Sequence, residues 1–231
     1  MRPLPVAALL AASLALAACD PPEKDDMRVI VTAGPVYEVP ARDAPRVRPI
    51  PQRPGRGTMV LEGGGASLDL ASQWTVALAG SQPVLCLIDT AAGGAGDPYH
   101  KFDAVGGFKM LTVDVTPGNA AQARIIEALE SCTGYFINGG DPVLLSTAFR
   151  PNVQDSPALK VIRQRFEQQG AVVAGTGAGA MIVGDFSLCE CGPESSVDAL
   201  VGGKLPEAPG FVFVHGVLID TRFFSRGLIG R

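Results

Sequence analysis

The chain has 231 residues, 47% hydrophobic and 18% charged, with 28 Gly, 19 Pro and a formal net charge of -4. That much apolar content without a repeat excludes collagen, a coiled coil and a mainly disordered chain. The negative balance argues against a nucleic-acid binder, which needs a basic face for phosphates, and two histidines, His100 and His215, are too few for a histidine-rich metal site.

Arg2 gives the N terminus a short positive start, and Val6 to Ala18 is an unbroken run of Ala, Leu, Val and Ser. At about 1.5 Å per residue that run covers roughly 20 Å, short of a bilayer core of about 30 Å. It reads as the apolar region of a signal peptide over residues 1–19. Its end, Leu16-Ala17-Ala18-Cys19, resembles a bacterial lipobox. The resemblance implies that Cys19 carries a lipid, becomes the mature N terminus and anchors the chain to a bilayer. The expected location is the bacterial cell envelope, facing the periplasm, with Asp20 favouring the inner membrane.

Residues 20–56 hold eight prolines and Arg42, Arg46, Arg48, Arg53 and Arg56. This composition predicts a semi-extended tether that packs no core. Its arginines either meet anionic headgroups or are simply solvated. A short strand at Met27–Ala33 has weak support.

A single domain is expected over 57–231. Apolar runs predict strands at 58–61, 84–88, 110–113, 134–137 and 171–174. Helices are predicted at 120–130, where Ile125, Ile126 and Leu129 form the apolar side, and at 156–168, with Ser156 or Asp155 as N-cap and Gly170 just past the end. Phe211–Gly216 reads as a further apolar strand that carries His215. Continuous apolar strands alternating with helices indicate a mostly parallel sheet covered on both faces. Ligands of such sheets bind at the carboxyl ends of the strands, which is where Gly63-Gly64-Gly65 and Gly139-Gly140 fall. Cys86, inside an apolar run, reads as a core hydrophobe. Cys189 and Cys191 flank Glu190; a zinc ribbon needs two more ligands at matching spacing, so they read as free thiols, with a disulfide through one of them as the alternative. No metal or cofactor is expected.

The strand Val172-Val173-Ala174 runs into Gly175-Thr176-Gly177-Ala178-Gly179-Ala180-Met181. A strand, a tight glycine-flanked turn and a helix start make a nucleophile elbow, in which the central side chain stands above the sheet and the helix N-terminus favours a developing oxyanion. A phosphate-binding turn is disfavoured. The Lys-Ser/Thr of the Walker pattern is missing, and a dinucleotide turn belongs after the first strand.

Gly175–Ala180 resembles the Gly-Thr-Ser-Ala-Gly-Ala elbow of the cyanophycinase and dipeptidase E serine peptidases. Tyr135–Asp141 is similar to their strand end closing on Gly-Gly-Asp. Val217–Phe223 with Arg226–Arg231 is similar to their Asp-Gln-His-Phe and arginine-rich segment, and Leu61–Gly65 fits their opening strand and turn. The resemblance implies an α/β fold of flavodoxin-like type, related to the class I glutamine amidotransferases. It also implies serine-type hydrolysis at aspartyl residues; cyanophycinase itself cleaves a β-linked aspartyl-arginine polymer. By the same resemblance Gly139, Gly140, Asp141 and Asp220 belong to the substrate cleft, and Glu194, in a looser alignment, is the acidic partner.

The departures fall on the chemistry. The family's nucleophilic Ser corresponds to Gly177, its general-base His to Arg222, and the Gln after Gly-Gly-Asp to Pro142. Glycine has no hydroxyl, and an arginine with a pKa above about 12 accepts no proton near neutrality. Thr176, Ser187, Ser195, His100 and His215 are poor substitutes by position. Arg231 falls inside the arginine-rich motif, so the domain is expected to lack the family's C-terminal part. The leading expectation is a lipid-anchored protein with a peptidase fold and no catalysis. The alternatives are an active serine-type peptidase, a peptide- or amino-acid-binding envelope protein, an amidotransferase-like enzyme (against which the missing elbow Cys counts) and a structural envelope protein.

Overall fold

A computed structural model describes residues 37–39, 55–65, 68–93, 98–189, 201–202 and 207–221. The expectations on Cys19, Asp20, Met27–Ala33, Cys191, Glu194, Ser195, Arg222 and Arg226–Arg231 lie outside these residues.

Among the described residues six strands form the main sheet, and five of them run parallel: β2 (Met59–Glu62), β3 (Val84–Ile88), β4 (Phe108–Val113), β5 (Gly134–Ile137) and β6 (Val172–Thr176). The sixth, β1 (Tyr37–Val39), pairs antiparallel with β4. The sheet order is β1-β4-β3-β5-β6-β2. The parallel strands are those read from the apolar runs, shifted by two residues at most. β1 lies in the tether, where no strand was expected at that position; three residues of an otherwise aperiodic segment suffice to cover the edge of β4.

Side chains alternate between the two faces of the sheet. Leu85, Leu87, Phe136, Val172 and Ala174 face α1 (Asp69–Leu78) and the 3-10 turn Pro98–Phe102. Cys86, Ile88, Tyr135, Ile137 and Val173 face α2 (Ala123–Ser131), α3 (Pro142–Phe149) and α4 (Pro157–Gln169). Leu159 and Ile162 of α4 are fully buried, each worth about 1.5–3 kcal/mol. α4 is capped as its sequence predicts. The Leu159 amide donates to Ser156 Oγ at 3.3 Å, and Gly170 closes the helix with φ 74. α2 starts three residues later than predicted, because Asn119 ties residues 114–116 into a turn through its own side chain.

Neither α1 nor α3 was predicted. α1 has no side-chain cap at its Leu68 N-cap; its support comes from a strand, as the Leu68 amide donates to Glu62 Oε1 at 3.0 Å. α3 is apolar on most sides, so it shows no helical periodicity. Asp141 caps it by accepting from the Val143 amide at 2.8 Å.

The cysteines correct the sequence reading. Cys86 is fully buried but bonded to Cys132 across 46 residues, joining β3 to the end of α2. Cys189 is also disulfide-bonded. Beside the Cys86–Cys132 link, burial pushes the Tyr135 phenol up to about 12, and its hydroxyl donates to the Leu129 carbonyl at 2.7 Å.

After β6 come α5 (Ala178–Met181), β7 (Phe186–Leu188) and β8 (Glu207–Pro209), the last two an antiparallel pair. Phe211–Gly216 is not the predicted strand. Val212 has φ 55, and side chains rather than a neighbouring strand take its carbonyls: Arg163 donates to Phe211 O at 2.6 Å and to Val212 O at 3.1 Å. His215 is accordingly on an exposed turn, with Nδ1 3.8 Å from Asp185 Oδ1.

Candidate functional site

The elbow lies where β6 meets α5. Gly177 has φ 54 and ψ -120, a region a residue with a side chain enters only at a cost of order 1–3 kcal/mol. Its amide donates to the Glu62 carbonyl of the neighbouring strand at 3.2 Å. The glycines on either side are required by space. A Cβ on Gly175 would stand 2.3 Å from the Gly179 carbonyl oxygen, and one on Gly179 would stand 2.0 Å from that of Ile137. A Cβ on Gly177 would meet nothing nearer than the Gly139 Cα, at 3.7 Å. So α5 is pressed onto the ends of β5 and β6, and the central position alone has room for a side chain. The tight turn is built, and Gly177 at its tip carries no side chain.

The strand end of β5 supplies the opposite wall. Gly139 lies against the tip, as that 3.7 Å approach shows. Gly140 packs so closely on the turn Thr90–Ala92 that a Cβ would stand 2.0 Å from the Ala91 oxygen. The Asp141 amide donates to that same oxygen at 2.8 Å. Gly139, Gly140 and Gly177 are thus brought together. Asp141 is exposed, and its Oδ1 is engaged in capping α3. Asp220 comes from the C-terminal segment, where its Oδ1 accepts from the Thr221 amide at 2.9 Å.

The fold adds polar residues that motif reading did not single out. Asn138 Nδ2 donates to Asp89 Oδ1 at 2.6 Å, and Asn138 Oδ1 accepts from the Gly139 amide at 2.9 Å. The amide side chain therefore orients the start of the glycine pair. Both residues are buried. Asp114, beside Asp89, has its carboxyl pushed above the usual carboxylate range by burial first and by the Asp89 charge second, against a lowering hydrogen bond from Thr90. The sequence signal for these residues was a polar residue directly after an apolar strand.

Thr176, directly before the tip, is buried. It faces α1 with the other inward residues of β6, and its backbone carbonyl lies under Gly139. Ser187 is fully buried in β7. His100 is exposed on the turn Pro98–Phe102 and contacts Asp103 at 3.0 Å. Among the described residues, no group of three or more His, Cys, Asp or Glu side chains is placed to hold a metal ion.

The family model described as Peptidase family S51 matches residues 59–190, which contain β2 through β7 and the elbow. A cyanophycinase of Nostoc sp. (strain PCC 7120) is 30% identical over 137 residues, covering 56% of this chain and 42% of that protein. A cyanophycinase of Geminocystis herdmanii is 27% identical over 158 residues, covering 66% of this chain and 55% of that protein. The chain thus spans about half the length of the curated relatives it matches. Among solved structures, a peptidase from an acI-B1 Actinobacterium superposes with a TM-score of 0.55 at 19% identity, covering 74% of this chain and 70% of that one. At that identity the likeness is one of fold.

Proposed function

The chain belongs to peptidase family S51, and on that premise we propose that it is a lipid-anchored envelope protein that keeps the peptidase fold, lacks the serine chemistry and binds a peptide or amino acid in the old cleft. The observation that carries the reading is the bare elbow. The strained backbone and the two sterically required glycines are present, while Gly177 offers no hydroxyl. The position of the base holds Arg222, a permanent cation unable to take the proton of a nucleophile. Removing the members of such a constellation costs factors of order a million in rate. An arginine there is suited to a ligand carboxylate through its bidentate fork.

Export and anchoring rest on the residues 1–19 and Cys19. They gain support from the Cys86–Cys132 disulfide, because such links persist in oxidising compartments and are rare in the cytosol.

The test is hydrolysis. Full-length protein is incubated with cyanophycin and with β-aspartyl dipeptides, and in parallel with a serine-directed fluorophosphonate. The expected result is no turnover above the uncatalysed rate and no covalent label. Turnover accompanied by labelling would overturn the reading. The pair of substitutions Gly177→Ser and Arg222→His, made together, is expected to restore labelling where neither does so alone.

A further inference from the structure

A pocket of about 320 Å³ lies at the amino ends of β5 and β6, the opposite end of the strands from the elbow. It is framed by the C-terminal ends of α1 and α4 and by Thr133 and Ala171, the residues directly before the two strands. Its charged residues are Arg56 and Arg165, and no carboxylate lines it among the described residues. The size falls at the lower end of the range for small-molecule sites.

The two arginines are held differently. Arg165, on α4, is half-buried. It donates through Nη2 to the Cys132 carbonyl at 2.6 Å and through Nη1 to Gln169 Oε1 at 2.6 Å. A guanidinium carries five N–H donors, so these bonds leave three unused. One of them, on Nε, is buried and without a hydrogen-bond partner, and an unmet charged donor is costly. Arg56 is held by its backbone alone. The Gly57 amide donates to the Phe166 carbonyl at 2.6 Å, which fixes the chain on the end of α4. The Arg56 side chain is exposed, and among the described residues no hydrogen bond or ion pair engages it.

Charge selects the ligand. The two guanidiniums supply two positive charges. The C-terminal ends of α1 and α4, and that of α2 where Arg165 bonds Cys132, each offset about half a charge. The balance stays positive, by an amount that suits an anion of charge one rather than two. A guanidinium with free N–H groups answers the paired oxygens of such an ion through its fork.

We propose that the pocket between Arg56 and Arg165 binds a singly charged phosphate group. The site is built entirely from the amino-end edge of the sheet, so it depends on neither the elbow nor the binding reading given above.

Titration of the isotope-labelled full-length protein at about pH 6, followed by nuclear magnetic resonance at the Arg165 Nε–H, tests it. The probes are sodium phosphate, dihexanoylphosphatidylglycerol below its micellar concentration, and sodium chloride at matched ionic strength as the screening control. The expected result is a saturable shift in the millimolar range with phosphate or the lipid, and only a small linear drift with chloride. A tighter response to the lipid identifies a membrane headgroup as the source; an equal or tighter response to phosphate identifies the free ion. Arg56→Gln, an exposed substitution, should weaken binding roughly fivefold or more with an unchanged unfolding midpoint. Arg165→Gln should abolish the saturable shift at the Arg56 Nε–H. It also loses the bond to the Cys132 carbonyl, so if it does not fold, Arg56→Gln decides. A linear response to both phosphate probes overturns the proposal, as does unchanged affinity in Arg56→Gln.

Discussion

Adding one methyl group at Gly177 and, separately, at Gly179 separates a merely unoccupied position from one that glycine must fill. At Gly179 the new Cβ stands 2.0 Å from the Ile137 carbonyl oxygen, 1.4 Å short of the 3.4 Å of an ordinary contact, and 2.9 Å from the Asn138 oxygen. Both are backbone atoms at the end of β5 and cannot swing aside, so α5 has to lift off the sheet. Overpacking typically costs 1–3 kcal/mol; with backbone on both sides of the clash, Gly179→Ala should cost at least about 3 kcal/mol. At Gly177 the nearest atom is 3.7 Å away and only φ 54 penalises a side chain. The strain of about 1–3 kcal/mol is partly offset by about 0.4–1 kcal/mol from the stiffer unfolded chain, leaving about 1–2 kcal/mol for Gly177→Ala. With a urea dependence of about 2 kcal/mol per molar, the midpoint should fall by about 1.5 M for Gly179→Ala and by under about 1 M for Gly177→Ala. Urea unfolding followed by circular dichroism reads both. Equal shifts, or a larger one at Gly177, would refute the claim that the tip has room for a side chain where Gly179 has none. The attempt to restore chemistry by Gly177→Ser would then lose its basis.

Three other perturbations probe the frame around the elbow. Replacing Cys86 and Cys132 together by Ala opens a loop of 46 residues, which a chain-entropy estimate values at roughly 4 kcal/mol; the melting temperature should drop by roughly 8–16 °C, and a drop of under about 2 °C would contradict a structural role for the link. Arg163→Ala removes two bonds to the carbonyls of Phe211 and Val212, an ion pair with Asp155 and the stacking over Phe213. The loss should be on the order of 2 kcal/mol, and the amides of Phe211 and Phe213, which donate to Ile182 and Val183, should exchange faster than those of β5; unchanged exchange would show that the segment is held by other contacts. Asp114→Asn should stabilise the protein at pH 7, because burial and Asp89 raise the Asp114 carboxyl above its ordinary value of 3.8. A raised acid binds its proton more tightly in the folded state, so its charge weakens folding above the raised pKa, and that penalty fades as pH falls toward 3.8. A gain for the variant that persists below pH 3.8 would rule out this linkage.

The parallel sheet was legible because buried strands such as Val84–Ile88 and Gly134–Ile137 are continuous apolar runs bounded by turn residues. α4 was legible because it carries its own stop and start signals, Ser156 and Gly170. α1 escaped notice because the group that supports its first turn is Glu62, on a strand six residues earlier. α3 escaped because its cap, Asp141, was read as part of a substrate motif. Phe211–Gly216 misled because alternating apolar residues suggest a strand wherever its carbonyls go, and here they go to Arg163.

Local chemistry carried the reading at the tip: no arrangement in space can give Gly177 a hydroxyl or make the Arg222 guanidinium a base, and both statements follow from residue identity alone. Distance carried the rest. Which glycines the bend requires, the pairing of Cys86 with Cys132 and the meeting of Glu62 with Thr176 all depend on atoms far apart in the chain, and such contacts exist only once the strands have taken their order in the sheet.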